Sequence, residues 1–287
     1  MEMRAAAIQL NSTADKARNL EVAERLVRAA AGDGAELVAL PEKWNLLGGS
    51  EVLRDGAEAL HGPTIMAARS WARELEIHLV AGSIAERVAD RPKLCNTSTL
   101  IGPDGELQAT YRKIHMFDVD VGGVAYRESE NEEPGEEIVT ADIGGSLPGI
   151  TVGMTVCYDL RFPELYRILA VRGATVITIP SAFTFETGKD HWEVLLRARA
   201  IENQAFVIAP NQVGEAPPHY RSYGHSMLVD PWGVVLAEAP DEECFVAADL
   251  DLGVEERVRS TLPSLANRRP AAYRWPDQAR AEVPSNA

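Results

Sequence analysis

The chain has 287 residues, 46% of them hydrophobic and 25% charged, which is typical of one large α/β domain or two small ones. The net charge of −15, with no run of Lys and Arg, excludes a basic face for nucleic acid and disfavours contact with anionic membranes. The first residues lack the pattern of a signal peptide, and no run of about 18 apolar residues could cross a membrane.

Strand and helix patterns alternate along the chain. A first strand is predicted over 3–11, and an amphipathic helix follows in which Leu20, Ala23 and Val27 recur at helical spacing. Later strands are predicted over 36–41, 77–84, 149–157, 174–180, 205–211 and 244–252, hairpins over 96–113 and 224–239, and helices over 64–75, 163–173, 190–204 and 253–261. This alternation favours an α/β layered fold with mixed sheets. We expect one domain over residues 1–273, and a tail over 274–287 that is either a partner-contacting arm or a frayed end.

Three cysteines are spaced too widely to form a disulfide framework or a paired metal-binding motif. Cys95 and Cys244 lie in strand-like segments and are expected to act as small packing residues. A free thiol persists in a reducing compartment, so we expect a cytoplasmic protein with no metal site.

Three polar residues occur where predicted apolar strands end. Glu42 follows ELVALP, Lys113 follows GELQATYR, and Cys157 follows GITVGMTV. Ligand sites in open α/β folds gather at strand ends, and three residues of complementary chemistry are harder to explain as surface charges than one. We therefore expect the three side chains to converge in one pocket.

The chemistry of these residues fits nucleophilic catalysis by a thiol. A neutral thiol is a poor nucleophile at an unperturbed pKa near ~8.5, so Glu42 could remove its proton as a general base. Lys113 and the backbone N–H of Tyr158 could stabilise a tetrahedral oxyanion. Pro163 suits the first turn of a helix whose N–H groups, together with Lys113, would favour the Cys157 thiolate.

Six histidines leave a cysteine–histidine hydrolase open as an alternative, because such pairs are adjacent in space rather than in sequence. His78 and His225 lie inside apolar strand-like runs, whereas His115 and His191 lie at the edges of predicted elements. The sequence alone does not decide between these histidines and Glu42 as the base.

Several separate motifs resemble the signature blocks of the nitrilase superfamily, the carbon–nitrogen hydrolases. ALPEKW, YRKIHMFDVD and CYDLRFPEL match the three blocks in order and spacing. HWEVLLRARAIENQ and GHSMLVDPWG extend the likeness, which covers residues 3 to about 273. The motifs are most similar to the Nit branch, which contains deaminated glutathione amidase and omega-amidase.

The resemblance implies a four-layer αββα sandwich with two mixed sheets, which pairs into a homodimer or a higher homo-oligomer. It implies that Cys157 is the nucleophile, Glu42 the general base and Lys113 the oxyanion stabiliser, with no metal and no organic cofactor. Glu128 matches a further catalytic glutamate near these three. The alternative for Glu128 is a solvated position in the acid-rich loop ESENEEPGEE.

Four residues are candidates for substrate binding. The Arg161 guanidinium suits a bidentate contact with a substrate carboxylate, the role that the resemblance implies, whereas a salt bridge to Glu164 is the alternative. The resemblance also places Phe183 and Thr187 in the substrate pocket, where core packing and helix capping are their alternatives. Tyr158 lies next to the nucleophile, and its ring is expected to pack.

The sequence therefore predicts a thiol amidase that releases ammonia from a small carboxylate-bearing amide through a cysteine thioester. Nitrile hydrolysis and N-carbamoyl removal are alternatives within the superfamily, and an inactive scaffold that binds a partner is an alternative of another class. After FDVD the chain carries Gly122-Gly123 where relatives often carry Pro-Gly, and the loop is one residue shorter. Because of this departure, the sequence does not determine the shape of the substrate pocket.

Overall fold

The structure, a computed structural model, describes residues 2–144, 149–216 and 220–273. Over these residues the chain forms six α-helices: α1 (Lys16–Gly32), α2 (Ser50–Gly56), α3 (Pro63–Leu75), α4 (Pro163–Val171), α5 (Phe185–Asn203) and α6 (Leu252–Thr261). The strands of the same segments are β1 (Glu2–Gln9), β2 (Leu37–Ala39), β3 (His78–Val80), β4 (Ile84–Glu86), β5 (Cys95–Ile101), β6 (Leu107–Arg112), β7 (Asp118–Val121), β8 (Val124–Arg127), β9 (Thr140–Asp142), β10 (Thr151–Met154), β11 (Val176–Thr178), β12 (Phe206–Ala209), β13 (Val213–Ala216), β14 (Tyr220–Tyr223), β15 (Met227–Val229), β16 (Val235–Glu238) and β17 (Cys244–Asp251).

The first sheet has seven strands in the order β17-β1-β2-β3-β5-β4, with β6 paired to β5. Strand β1 runs parallel to β2 and antiparallel to β17. Because side chains alternate across a strand, Ala6 and Ile8 pack towards α1 and α3, while Ala5 and Ala7 join the core on the other face. The sheet is therefore buried on both faces.

The second sheet has six strands in the order β16-β15-β12-β11-β10-β9. Its central strands β10, β11 and β12 are parallel, and α4 and α5 pack against β10 and β12 on the outer face. Strand β1 of the first sheet contacts β12 and β15, so the two sheets pack face to face. The layers run helix, sheet, sheet, helix, and the predicted αββα sandwich with two mixed sheets is confirmed.

Several predicted elements differ in detail from the observed ones. The predicted strand over 77–84 is two strands, β3 and β4, because Gly82 turns at a φ of 46° against the carbonyls of Leu40 and Pro41. Helix α5 begins at Phe185, five residues before the predicted start. The predicted tail over 274–287 lies outside the described residues.

A hairpin of β7 and β8 occupies the segment that the sequence left undefined. Gly122 and Gly123 form its two-residue turn with φ values of 60° and 77°, a conformation that glycine adopts without steric cost. A Cβ on Gly122 would lie 2.8 Å from Cγ of Glu186 in α5, so the tip of the hairpin packs closely on that helix. Residues of β8 form one wall of the cleft described next.

Candidate active site

The ends of three strands meet at one cleft of about 340 Å³. Glu42 follows β2 and Lys113 follows β6 in the first sheet, whereas Cys157 follows β10 in the second. All three side chains line the cleft, and Lys113 Nζ lies 3.1 Å from Glu42 Oε1. The structure thus brings the three predicted residues together across the seam between the sheets.

The Glu42 carboxylate is fixed from two sides and is only 4% exposed. Asn96 Nδ2 donates to Oε1 at 2.8 Å, and the backbone N–H of Ala182 donates to Oε2 at 2.8 Å. Gln212 Nε2 donates to the backbone carbonyl of Glu42 at 3.0 Å. A carboxylate held this firmly is oriented for proton transfer with the thiol beside it.

Lys113 is buried between two carboxylates. Its Nζ donates to Glu42 Oε1, and to Oε1 and Oε2 of Glu128 at 3.0 and 2.8 Å. Burial alone would lower the pKa of Lys113, but the charges of Glu128 and Glu42 outweigh burial and raise that pKa well above its usual range. The ammonium is therefore a permanent positive charge in the cleft.

Glu128 is the buried partner that holds Lys113 from the other side. Burial would raise the pKa of Glu128, but Lys113 and Lys43 outweigh it and lower that pKa from 4.5 to about 2. The backbone N–H of Phe117 also donates to Glu128 Oε2 at 2.7 Å. Glu128 thus stays ionised at neutral pH and faces the cleft, instead of lying solvated in its acid-rich loop.

Cys157 begins a short 3-10 helix, Cys157–Arg161, in a conformation that is unusual for a side chain with a Cβ. Its φ is 48°, in the left-handed region, which costs a non-glycine residue about 1 kcal/mol or more. The backbone N–H of Cys157 donates to the carbonyl of Pro180 at 2.9 Å and holds the turn. Strain of this kind is found where a side chain must be presented to a ligand.

The thiol of Cys157 is neutral at rest, which differs from the expectation that Lys113 would favour the thiolate. Burial and the negative charge of Glu42 raise the pKa of Cys157 well above its usual range, and the opposing effect of Lys113 is smaller. Glu42 lines the same cleft, so the carboxylate that raises this pKa is also the group that could receive the thiol proton.

Asp159 anchors the turn that carries Cys157. Its Oδ2 accepts from the backbone N–H of Val156 at 2.8 Å and from the Tyr111 hydroxyl at 2.6 Å, and its Oδ1 lies 2.7 Å from His115 Nδ1. His115 is therefore bound to Asp159 rather than to the thiol. Among the described residues no histidine lines the cleft, so the cysteine–histidine alternative has no base there.

The four candidates for substrate binding all line the cleft. The Arg161 guanidinium lies 5.1 Å above the Phe183 ring, and its Nη1 lies 3.3 Å from His191 Nδ1. Within the described segments the side-chain contacts of Arg161 are these two, and neither is an ion pair with Glu164. Thr187 Oγ1 lies 2.7 Å from Thr184 Oγ1.

The Tyr158 ring packs edge-on against two phenylalanines, as expected. Its centroid lies 5.0 Å from that of Phe117 and 5.3 Å from that of Phe162. Tyr158 and Phe117 line the cleft, so their rings form an apolar side of it next to Cys157.

Sequence reasoning missed four groups of the site. They are Asn96, the backbone N–H of Ala182, and the ion pair of Lys43 and Glu132, whose Nζ and Oε1 lie 2.5 Å apart. Lys43 follows Glu42 directly and Glu132 lies in the acid-rich loop, but nothing in the sequence indicates that they pair. Asp159, by contrast, lies within the CYDLRFPEL motif and could have been singled out there.

In the segments that the structure describes, no group of three or more His, Cys, Asp and Glu side chains is placed to hold a metal ion. Within those segments, every helix is too short or too polar to cross a membrane.

The fold agrees with what comparisons with known proteins find. The profile of the carbon-nitrogen hydrolase family matches residues 4–260. The chain belongs to the carbon-nitrogen hydrolase family, and the resemblance to the nitrilase superfamily is confirmed.

The relatives of the chain are amidases. It is 41% identical over 269 residues to the deaminated glutathione amidase of Synechocystis sp., covering 92% of this chain and 97% of that protein. It is 41% identical over 271 residues to the omega-amidase NIT2 of Mus musculus, covering 94% of this chain and 96% of that protein. The crystal structure of Saccharomyces cerevisiae Nit3, a member of branch 10 of the nitrilase superfamily, superimposes with a TM-score of 0.82 at 34% identity, covering 91% of this chain and 94% of Nit3.

Proposed function

We propose that this protein is a thiol amidase that hydrolyses a linear amide of a small carboxylate-bearing substrate and releases ammonia. The observation that carries the proposal is the meeting of the Cys157 thiol, a fixed Glu42 carboxylate and a permanently charged Lys113 in one cleft. The names of the relatives, deaminated glutathione amidase and omega-amidase, support amides as substrates.

The first half of the reaction forms a thioester. As the Cys157 sulfur attacks the amide carbonyl carbon, Glu42 accepts the thiol proton, so thiolate charge need not build up before substrate binds. Negative charge then develops on the carbonyl oxygen, where the Lys113 ammonium stabilises it together with backbone N–H groups, including that of Tyr158. Glu42 returns the proton to the amide nitrogen, the carbon–nitrogen bond breaks, and ammonia leaves.

The second half hydrolyses the thioester. Glu42 accepts a proton from water as the water oxygen attacks the thioester carbon, and Lys113 stabilises a second oxyanion. The carbon–sulfur bond breaks, the sulfur regains the proton, and the carboxylic acid leaves. Glu128 supports both halves because it keeps Lys113 charged and holds its Nζ in place.

Arg161 is the residue that we assign to bind the substrate carboxylate. Its guanidinium lines the cleft, and its contacts within the described segments are with His191 and the Phe183 ring rather than with a carboxylate. Phe183 and Thr187 would contact the carbon chain of the substrate, between its carboxylate and its amide. Deaminated glutathione and omega-amides of dicarboxylic acids have this arrangement of groups.

We also propose a homodimer in the cytoplasm that needs no cofactor. Apolar side chains are exposed on the outer faces of α4 and α5, which supports pairing through these helices: Ile168, Val171, Val194 and Ile201. The domain is proposed to end near residue 273, with residues 274–287 as a tail.

A substrate panel tests the activity. Hydrolysis should be fast with omega-amides of dicarboxylic acids, measured as ammonia release, and with deaminated glutathione, measured as release of its amine product. It should be much slower with simple aliphatic amides, because an unpaired charge in the site is costly. Faster turnover of nitriles or N-carbamoyl compounds would replace the proposal with another activity of the superfamily. No turnover of any member would favour a scaffold that binds a partner.

Arg161→Lys tests the assignment of the carboxylate. Lysine keeps the charge but loses the planar fork of the guanidinium. For a carboxylate-bearing amide, kcat/KM should therefore fall by a factor that corresponds to a loss of about 1–3 kcal/mol in transition-state stabilisation. A neutral amide of matched length should be hydrolysed almost as before. Arg197→Lys, on the exposed face of α5, should leave both rates unchanged. Equal losses with both substrates would make Arg161 a structural residue.

A further inference from the structure

A chain of five buried charges runs along the cleft. Glu42 and Glu128 flank Lys113, as described above. The Lys43 Nζ then lies 3.7 Å from Glu128 Oε1 and 2.5 Å from Glu132 Oε1. All five residues line the cleft. Three carboxylates therefore face two ammonium groups, which leaves one negative charge in excess when every group is ionised.

Among these five residues, Glu132 is the one that carries the excess negative charge. It is 2% exposed, and its Oε2 is buried without a hydrogen bond from any residue that the structure describes. Burial, together with the charge of Glu128, raises the pKa of Glu132 from 4.5 to about 7 although Lys43 opposes the change. Because Glu128 stays ionised, a single neutralising proton binds to Glu132.

Other charged groups near Glu132 are already bonded to different atoms. Lys113 and Glu128 affect the pKa of Glu132 through their charges alone. Lys43 affects it through its charge and through direct contact. Basic side chains from the neighbouring segments flank the same stretch and bond to its other residues. These pairs are Arg54 with Asn131, Lys93 with the carbonyl of Ser129, and Arg91 with Glu133.

We propose that Glu132 is a positioning residue that acts through Lys43, so that the proton on its carboxyl group governs how readily Cys157 ionises. With the proton bound, Lys43 is left to face Glu128, and the five groups sum to zero charge. When the proton leaves to solvent, Lys43 is paired with Glu132 and the five groups carry one negative charge in excess. That charge opposes the thiolate and the oxyanion alike. The inference rests on the proposed function only in taking Cys157 as the nucleophile.

Alkylation of Cys157 measures this effect without any amide substrate. The second-order rate with iodoacetamide is followed between about pH 5.5 and about pH 9 by mass spectrometry of the peptide that contains Cys157. Glu132→Gln mimics the protonated group at every pH. Its rate should equal that of the unaltered protein near about pH 6 and exceed it about fivefold near about pH 8.5.

The matched control is Glu133→Gln, the same change one residue along the chain, where the carboxylate pairs with Arg91 outside the cleft. Its profile should follow that of the unaltered protein. A constant ratio between Glu132→Gln and the unaltered protein at all pH values would overturn the proposal, since a purely structural role changes the rate without changing its pH dependence.

The unaltered protein supplies a second test should Glu132→Gln not fold. Because the pKa of Cys157 lies above this pH range, the logarithm of its rate should rise steadily with pH except for a shoulder near pH 7, where Glu132 loses its proton. A steady rise with no shoulder near pH 7 overturns the proposal. Because alkylation requires no turnover, a failure of the amidase assignment in the substrate panel leaves this result unaffected and separately readable.

Discussion

Replacing Cys157 with alanine should abolish amide hydrolysis and leave the fold intact. No other described thiol lines the cleft, so without the sulfur no thioester can form, and kcat/KM should fall by about 10⁴-fold or more. Alanine occupies less space than cysteine and has the same backbone preference, so the turn at φ 48° should persist. Ammonia release and thermal unfolding measure the two expectations.

Cys95→Ala is the matched control for this change. Cys95 is also a buried free thiol, but it lies in β5 and does not line the cleft. Its replacement should cost some stability and leave kcat/KM unchanged. Measurable turnover by Cys157→Ala, or loss of turnover in Cys95→Ala at a temperature where it is folded, contradicts the mechanism.

Glu42→Gln should reduce kcat by about 10³-fold, the middle of the range for removal of a general base. The amide oxygen of glutamine can still accept from the N–H of Ala182, but its NH2 group then faces the donors Asn96 Nδ2 and Lys113 Nζ, and the side chain cannot accept the thiol proton. Lys113 also loses one of its two carboxylate partners and keeps Glu128. The measurement is kcat for an omega-amide, with the melting temperature recorded alongside.

Glu86→Gln separates loss of the base from loss of a buried charge. Glu86 is 4% exposed, as Glu42 is, but its carboxylate is bound by Arg112 and Thr97 and lies away from the cleft. This variant should be destabilised and keep its kcat when folded. If the two variants lost kcat equally, the effect at Glu42 would be structural and the base would have to be sought elsewhere.

The sequence predicted the layers and the meeting of Glu42, Lys113 and Cys157, because local patterns carry that information. Apolar runs mark buried strands, and a polar residue directly after such a run lies at a sheet edge. The β7–β8 hairpin escaped prediction because its strands are four residues long and half exposed, so they carry no apolar run.

The missed polar contacts are long-range, and the sequence pattern does not record them. Asn96 lies 54 residues from Glu42, and Glu132 lies 89 residues from Lys43. The raised pKa of Cys157 was also missed, because it depends on how completely the thiol is buried and on how near Glu42 lies. A nearby lysine is visible in a motif, whereas the extent of desolvation is a property of the packed core.

The division of the reactive groups between two sheets has a consequence for the newly made chain. Glu42 and Lys113 belong to the first sheet and Cys157 to the second, so a half-folded chain has a cysteine without its base. Reactivity therefore requires that the two sheets have docked. In a chain whose sheets are apart, the Cys157 thiol has neither the Glu42 carboxylate nor the Lys113 ammonium beside it.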